Sequence, residues 1–130
     1  MAGTRSDTRT ALPHPPVTVQ AVPVVREPPS PEVLADAADT FAMLASSQRL
    51  HLLWLLSRAE RDVSTLAEIL GVSIPLASQH LGKLRLAGLV SARRVGKRQL
   101  YSVDDPHVVS LVDQAIDHHE DLRTRAGRPG

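Results

Sequence analysis

Residues 64–103 read STLAEILGVSIPLASQHLGKLRLAGLVSARRVGKRQLYSV, and their periods set the expected fold. STLAEILGV (64–72) has the spacing of a short helix; Thr65 and Glu68 stand as a capping box, and Gly71 can end it. SIPLASQHLGKLRLAG (73–88) follows as a longer helix. Ser73 is its N-cap, Pro75 lies in its first turn, and Leu76, Ala77, Leu81, Leu84 and Leu86 make up most of its buried side. At 89–103 the period changes. Two β-prone runs flank VGKR, a hairpin with Gly96 in its turn.

Outward from this stretch, SPEVLADAADTFAMLA (30–45) spaces Val33, Leu34, Ala37, Ala38, Phe41 and Leu44 as one helical face, with Ser30 as N-cap and Pro31 at the first helical position. SSQRLHLLWLLSRA (46–59) is a second helix with Leu50, Leu53, Trp54 and Leu56 inward. A last helix covers 106–123, with Asp105 as cap and Pro106 at its start. The expected class is mainly α with a β-hairpin wing, a winged helix-turn-helix, and the expected domain is 30–123. The first 29 residues hold six of the ten prolines without a sustained apolar period, so 1–29 reads as a disordered Pro-rich tail and 124–130 as another. No signal-length or membrane-spanning apolar run occurs, which points to a cytoplasmic chain with no membrane partner.

The net charge of +1 conceals a split. From Ile69 to Val103 there are six basic residues and no acidic one; from Asp104 to Asp121 there are six acidic residues and no basic one. A basic block suits a polyanion and an acidic, histidine-bearing block suits a cation, the bland alternative for each being a solvated face. Two helices joined tightly at Gly71, with small Ala67 at their crossing and Val72 and Ala77 inward, form a helix-turn-helix pattern. Its second helix would enter the major groove of double-stranded DNA with Ile74, Pro75, Ser78 and Gln79 toward the bases and Lys83 nearby. Gln79 suits adenine, Ser78 base or phosphate, and Ile74 a thymine methyl. Arg93, Arg94, Lys97 and Arg98 on the hairpin suit phosphate or minor-groove contacts.

With no cysteine in the chain, disulfides, thiolate metal sites and cysteine nucleophiles are all excluded. Metal ligands are then His and carboxylate. His107 and His118 share a helix face but stand roughly 16 Å apart along it, so one ion cannot reach both within a chain. His118 and Asp121 can chelate together, as can Asp105 and His107. A homodimer with antiparallel last helices would close two identical sites, each from Asp105 and His107 of one chain and His118 and Asp121 of the other, with His119 and Glu120 as possible extra ligands. The apolar middle (Val108, Val109, Leu111, Val112, Ala115, Ile116) would be the dimer seam. This donor set suits Zn(II) first, with Co(II) or Ni(II) as alternatives; nickel would recruit further ligands such as His119, Glu120 or His14. His51, His80 and His14 read otherwise as incidental, His80 as packed in its helix or touching phosphate.

LAEILGVSIPLASQHLGKLRLAGLV…RRVGKRQLYSVDD resembles the ArsR/SmtB family of dimeric winged-helix metal-sensing repressors over about residues 33–122. DPHVVSLVDQAIDHH (105–119) is similar to the C-terminal-helix site of its zinc/cobalt and nickel/cobalt sensors. The resemblance implies that Asp105, His107 and His118 are ligands, with Asp121 in a fourth position that Glu120 or His119 could take instead. ERDVSTLAE lacks the cysteines of the family's other site, which argues against arsenic, lead or thiolate cadmium sensing. It further implies derepression: an apo homodimer holds an inverted-repeat operator, and metal favours a geometry that fits DNA poorly. A route for this would run from His118 through its second ring N–H to a backbone carbonyl near Gly88. The alternatives are a winged-helix repressor answering a non-metal signal, a His/Asp metal hydrolase, and a metal-storage protein. The hydrolase lacks an evident general base over an open position, and storage leaves the basic hairpin unexplained.

Overall fold

The computed structural model describes residues 27–127. The Pro-rich stretch 1–26 and residues 128–130 lie outside the described residues, and with them His14 and most of both expected tails. Residues 35–127 make up the unit described below; Pro31–Leu34 belong to the preceding unit.

Each helix starts where a side chain satisfies its first N–H groups. In α1 (Pro31–Leu44) the Ser30 hydroxyl accepts from Val33 N at 3.1 Å. In α2 (Ser47–Arg58) Ser46 accepts from Arg49 N at 3.2 Å, and the Arg49 Nε returns a hydrogen bond to the Met43 carbonyl at 2.7 Å, fixing the α1–α2 corner. α3 (Val63–Leu70) is capped by Asp62, whose Oδ1 accepts from Thr65 N at 2.9 Å. The cap therefore lies three residues before Thr65, the position that spacing suggested. α4 (Ile74–Leu86) is capped by Ser73 on Leu76 N at 3.2 Å.

The α3–α4 turn needs a left-handed residue, and Gly71 supplies it at φ 71°. Val72 N then donates to Ala67 O at 3.1 Å and Gly71 N to Glu68 O at 3.2 Å, closing the end of α3. The same device ends α4: Gly88 sits at φ 77° while Leu89 N donates to Leu84 O at 2.9 Å. The chain then enters the hairpin, β2 (Ser91–Val95) and β3 (Arg98–Ser102), with Gly96 at φ 62° in its two-residue turn. A two-residue strand, β1 (Arg61–Asp62), adds to the outer side of β3, pairing Arg61 with Tyr101 and Asp62 with Leu100, so the sheet order is β1-β3-β2. The wing is thus laced to the segment that begins α3. α5 runs Pro106–Ala126, three residues beyond the expected end.

α2 is the central helix. Its Leu52, Leu53, Leu55 and Leu56 are buried among Leu66 and Ala67 of α3, Ala77, Leu81 and Leu84 of α4, Leu89 and Val90, and Val108 and Val112 of α5. Burying each such leucine contributes about 2 kcal/mol before entropy is counted. Three apolar expectations are corrected. Leu86 is 92% exposed, because it stands two residues past Leu84 and so off the Ala77–Leu81–Leu84 stripe, and Leu76, one residue before that stripe, is exposed too. On α5 the apolar middle divides between two faces. Val108, Val112 and Ile116, spaced by four, pack into the protomer's own core, whereas Leu111, Ala115 and Leu122 face outward. α1 also buries none of its residues, and Phe41 is 59% exposed.

Candidate nucleic-acid interface and metal half-sites

α4 presents Ile74, Pro75, Ser78, Gln79 and Lys83 to solvent on the side opposite Ala77, Leu81 and Leu84. This division follows from helical period: positions 77, 81 and 84 seat the helix against α2 and α3, leaving its first two turns open for a groove. His80 sits at the boundary. Its Nε2 lies 2.7 Å from the Gln48 Oε1, joining α4 to α2, while Nδ1 is buried with no partner among the described residues. Burial lowers the His80 pKa, and the neighbouring Arg49 and Lys83 charges lower it further. His80 is therefore a bridge between helices, as its packed reading expected, and not a free phosphate ligand. His51 is exposed.

All four basic side chains of the wing are exposed, but two are engaged. Arg93 forks onto Glu60, Nε to Oε2 at 2.6 Å and Nη2 to Oε1 at 2.8 Å. Arg98 Nε reaches Asp62 Oδ2 at 3.1 Å. The Arg93 hydrogen bonds hold the Glu60 carboxyl below its ordinary pKa, and Asp62 is held down first by its hydrogen bonds from Thr65 and then by Arg98. Arg94 and Lys97 have no such partner among the described residues. The Glu60 and Asp62 pairings were not read from the sequence. Asp62 carries the local signal of an N-cap three before Thr65; Glu60 carries none, since its partner stands 33 residues away.

The acidic half-sites lie at opposite ends of α5. At its start Asp105 caps the helix on His107 N at 2.8 Å, and the same Oδ1 stands 3.0 Å from His107 Nδ1. A carboxylate can only accept, so in the neutral ring Nδ1 carries the proton and Nε2 keeps the free lone pair. The His107 side chain is 92% exposed. At the far end His118 and His119 meet edge to face, ring centroids 5.1 Å apart. Asp121 Oδ2 is taken by Arg125 at 2.7 Å, an i,i+4 pair visible in the spacing though not anticipated. Glu120, two residues from His118 and so on another face, lines a groove with Trp54, Arg58 and Asp117. Among the described residues, no three His, Asp or Glu side chains of one chain converge on a metal position. His118 makes no hydrogen bond to the Gly88 region within the chain.

One exposed stripe joins the two half-sites. His107, Leu111, Ala115, His118 and Leu122 recur at steps of three or four along α5, beside the Val108–Val112–Ile116 stripe that faces α2. Imidazole stands toward each end and apolar carbon between.

A sequence profile described as "Bacterial regulatory protein, arsR family" matches residues 46–92, which spans α2, the helix-turn-helix and the start of the wing. Transcriptional repressor SmtB of Mycobacterium tuberculosis is 34% identical over 105 residues, 81% of this chain and 78% of that protein. The chain belongs to the arsR family. It is also 47% identical over 72 residues to the probable mercury resistance operon repressor of Streptomyces lividans, covering 55% of this chain and 58% of that one. The solution structure of the homodimeric winged helix-turn-helix domain Mb0332 of Mycobacterium bovis, titled a possible ArsR-family regulator, superposes with a TM-score of 0.66 at 31% identity, over 75% of this chain and 91% of that one. The arsR-family chain is thus a winged helix-turn-helix transcription regulator and not an enzyme, which removes the hydrolase reading. No helix among its described residues is long and apolar enough to cross a membrane.

Proposed function

We propose that the protein is a metal-responsive repressor. It holds an inverted-repeat operator as an apo homodimer and leaves it when Zn(II), or alternatively Co(II) or Ni(II), binds two sites between protomers. Each site takes Asp105 and His107 from one chain and His118 and Asp121 from the other. The observation carrying this reading is the exposed α5 stripe, with a half-site toward each end, apolar residues between, and no complete ligand set in one chain. Leu111, Ala115 and Leu122 would form the seam. Val108, Val112 and Ile116 would not, being committed to the protomer's own core.

The donor set fits the ion chemically: two imidazole nitrogens and two carboxylates, borderline ligands that suit tetrahedral zinc. His107 offers Nε2 outward, with Asp105 against its Nδ1 to set tautomer and ring orientation. For Asp105 to ligate as well, the ring must turn. Asp121 would ligate through Oδ1, or share Oδ2 with Arg125, whose exposed i,i+4 pair is weak. A bound ion would supply a cross-link between the two α5 helices. DNA binding and metal binding then oppose each other through the dimer geometry, and linkage requires each to weaken the other by one factor.

On α4, Gln79 and Ser78 would read base edges and Ile74 a thymine methyl, with Pro75 beside them and Lys83 toward phosphate. The wing's Arg93, Arg94, Lys97 and Arg98 would position the protein on the backbone.

The test is fluorescence anisotropy of a labelled fragment of the protein's own promoter, titrated with zinc, cobalt and nickel. Release by one of them, lost in His107→Ala and His118→Ala, is expected. Tight binding indifferent to all three would leave a DNA-binding repressor that answers another signal.

A further inference from the structure

We propose that Glu60 and Asp62 form an ionic clasp on the wing that neutralises Arg93 and Arg98 and so sets how strongly, and with what salt dependence, the protein holds DNA. The inference rests on the DNA-binding reading above and deepens it. Three observations carry it. First, the pairs are geometrically specific: Glu60 takes Arg93 through two parallel N–H···O bonds, at 2.6 and 2.8 Å, and Asp62 takes the Arg98 Nε at 3.1 Å. Second, they involve two of the wing's four cations and both carboxylates of the short segment that enters β1 and α3. Third, Asp62 is divided between two tasks. Oδ1 caps α3 while Oδ2 holds Arg98, so the cap of the first helix-turn-helix helix and a cation on the wing share one side chain.

A guanidinium already matched by a carboxylate brings no net charge to a phosphate. It releases no additional counterion, because affinity for duplex DNA and its salt slope follow the net number of phosphates neutralised. Of the wing's cations, Arg94 and Lys97 then supply the effective charge. Arg93 and Arg98 act as hydrogen-bond donors of fixed position, the Arg93 Nη1 being outside its fork with Glu60.

The substitutions that isolate charge from shape are Glu60→Gln and Asp62→Asn. Each keeps a side-chain oxygen, and asparagine keeps the α3 cap. The probe is a fluorescein-labelled duplex of random sequence, which reads the electrostatic contribution alone, titrated across a range of salt. Each variant is expected to steepen the slope of log affinity against log salt by about one unit, so that from about 50 mM to about 200 mM salt its affinity falls about 4-fold more than that of the unsubstituted protein. At low salt it should bind more tightly. Arg93→Ala is expected to cost little alone and more in the Glu60→Gln background. Equal slopes for unsubstituted protein and both variants, or weaker binding of Glu60→Gln at every salt, would overturn the clasp while leaving the DNA-binding reading intact. Failure of the unsubstituted protein to bind duplex DNA with any salt dependence would overturn both. Melting curves of each variant confirm that a fold has been compared with a fold.

Discussion

Asp105 and His107 are joined twice through one oxygen: Oδ1 receives the His107 backbone N–H at 2.8 Å and faces its Nδ1 at 3.0 Å. The cap of α5 and the orientation of a candidate ligand are therefore one structural unit. Asp105→Asn should keep the cap and leave the melting temperature nearly unchanged, yet weaken zinc, because the carboxamide is neither an anionic ligand nor a strong partner for Nδ1–H. Asp105→Ala should lower both. Thermal melts beside a competition titration against a zinc chelator distinguish the two; a loss of zinc affinity confined to the alanine variant would count against this role.

If Asp105 and His107 of one chain meet His118 and Asp121 of the other, variants of the two histidines should complement one another. A homodimer of His107→Ala has no intact site, and neither has a homodimer of His118→Ala. A mixed dimer has one site lacking both histidines and one that is whole. Mixing the two variants under exchange should recover tight zinc binding at half of one ion per protomer in the mixed dimers. Isothermal titration reads this directly. Ligation within one chain predicts no recovery at all.

The recognition helix and the wing should fail differently. Gln79→Ala is expected to reduce discrimination between promoter fragment and random duplex by roughly 10-fold, since one bidentate base contact is worth about 1–3 kcal/mol. Lys97→Ala should weaken both duplexes equally and lower the salt slope by about one unit. Loss of discrimination in the lysine variant, or a uniform loss in the glutamine variant, would exchange the roles of the two elements.

Acid should loosen the α2–α4 junction. Burial lowers the His80 pKa from its ordinary 6.5, with Arg49 and Lys83 acting in the same direction. The unfolded chain then binds more protons at this position than the folded one. Its contribution to stability is complete above the unfolded value and declines as pH falls through it toward the folded value. His80→Gln removes that titration. The melting temperature of the unsubstituted protein should fall relative to the variant between about pH 7 and pH 5. Parallel curves would show that His80 carries no such linkage.

The elements legible in the sequence are those whose signals are local. Gly71 and Gly96 mark positions with φ of 71° and 62°, and Ser30, Ser73 and Asp105 each cap the helix they precede. β1 was not legible, because two residues have no period and their partners on β3 lie about forty residues on. The same distance concealed Glu60 from Arg93 and Asp62 from Arg98. The apolar run of α5 was visible, but its assignment to one seam overlooked that a helix beside a core has two neighbours; spacing by four from Val108 directs Val112 and Ile116 inward. In the candidate site, the placement of His and carboxylate groups at both ends of α5 is readable. The pairing of Arg125 with Asp121 is an i,i+4 relation, visible from spacing alone.

β1 lashes the wing to the start of α3, and Asp62 binds the two again through its side chain. Because α4 packs against α3 in the same core, wing and recognition helix should travel together as one stiff caliper jaw. A dimer of such jaws has a single coarse adjustment, the gap between them. An operator would sense that gap as the phase of its two half-sites along the duplex, about 34 Å for each helical turn. Inserting a single base pair between half-sites, which moves one by about 3.4 Å and rotates it around the axis, should then weaken binding, and inserting a full turn, which moves it about 34 Å, should prevent both jaws from engaging at once.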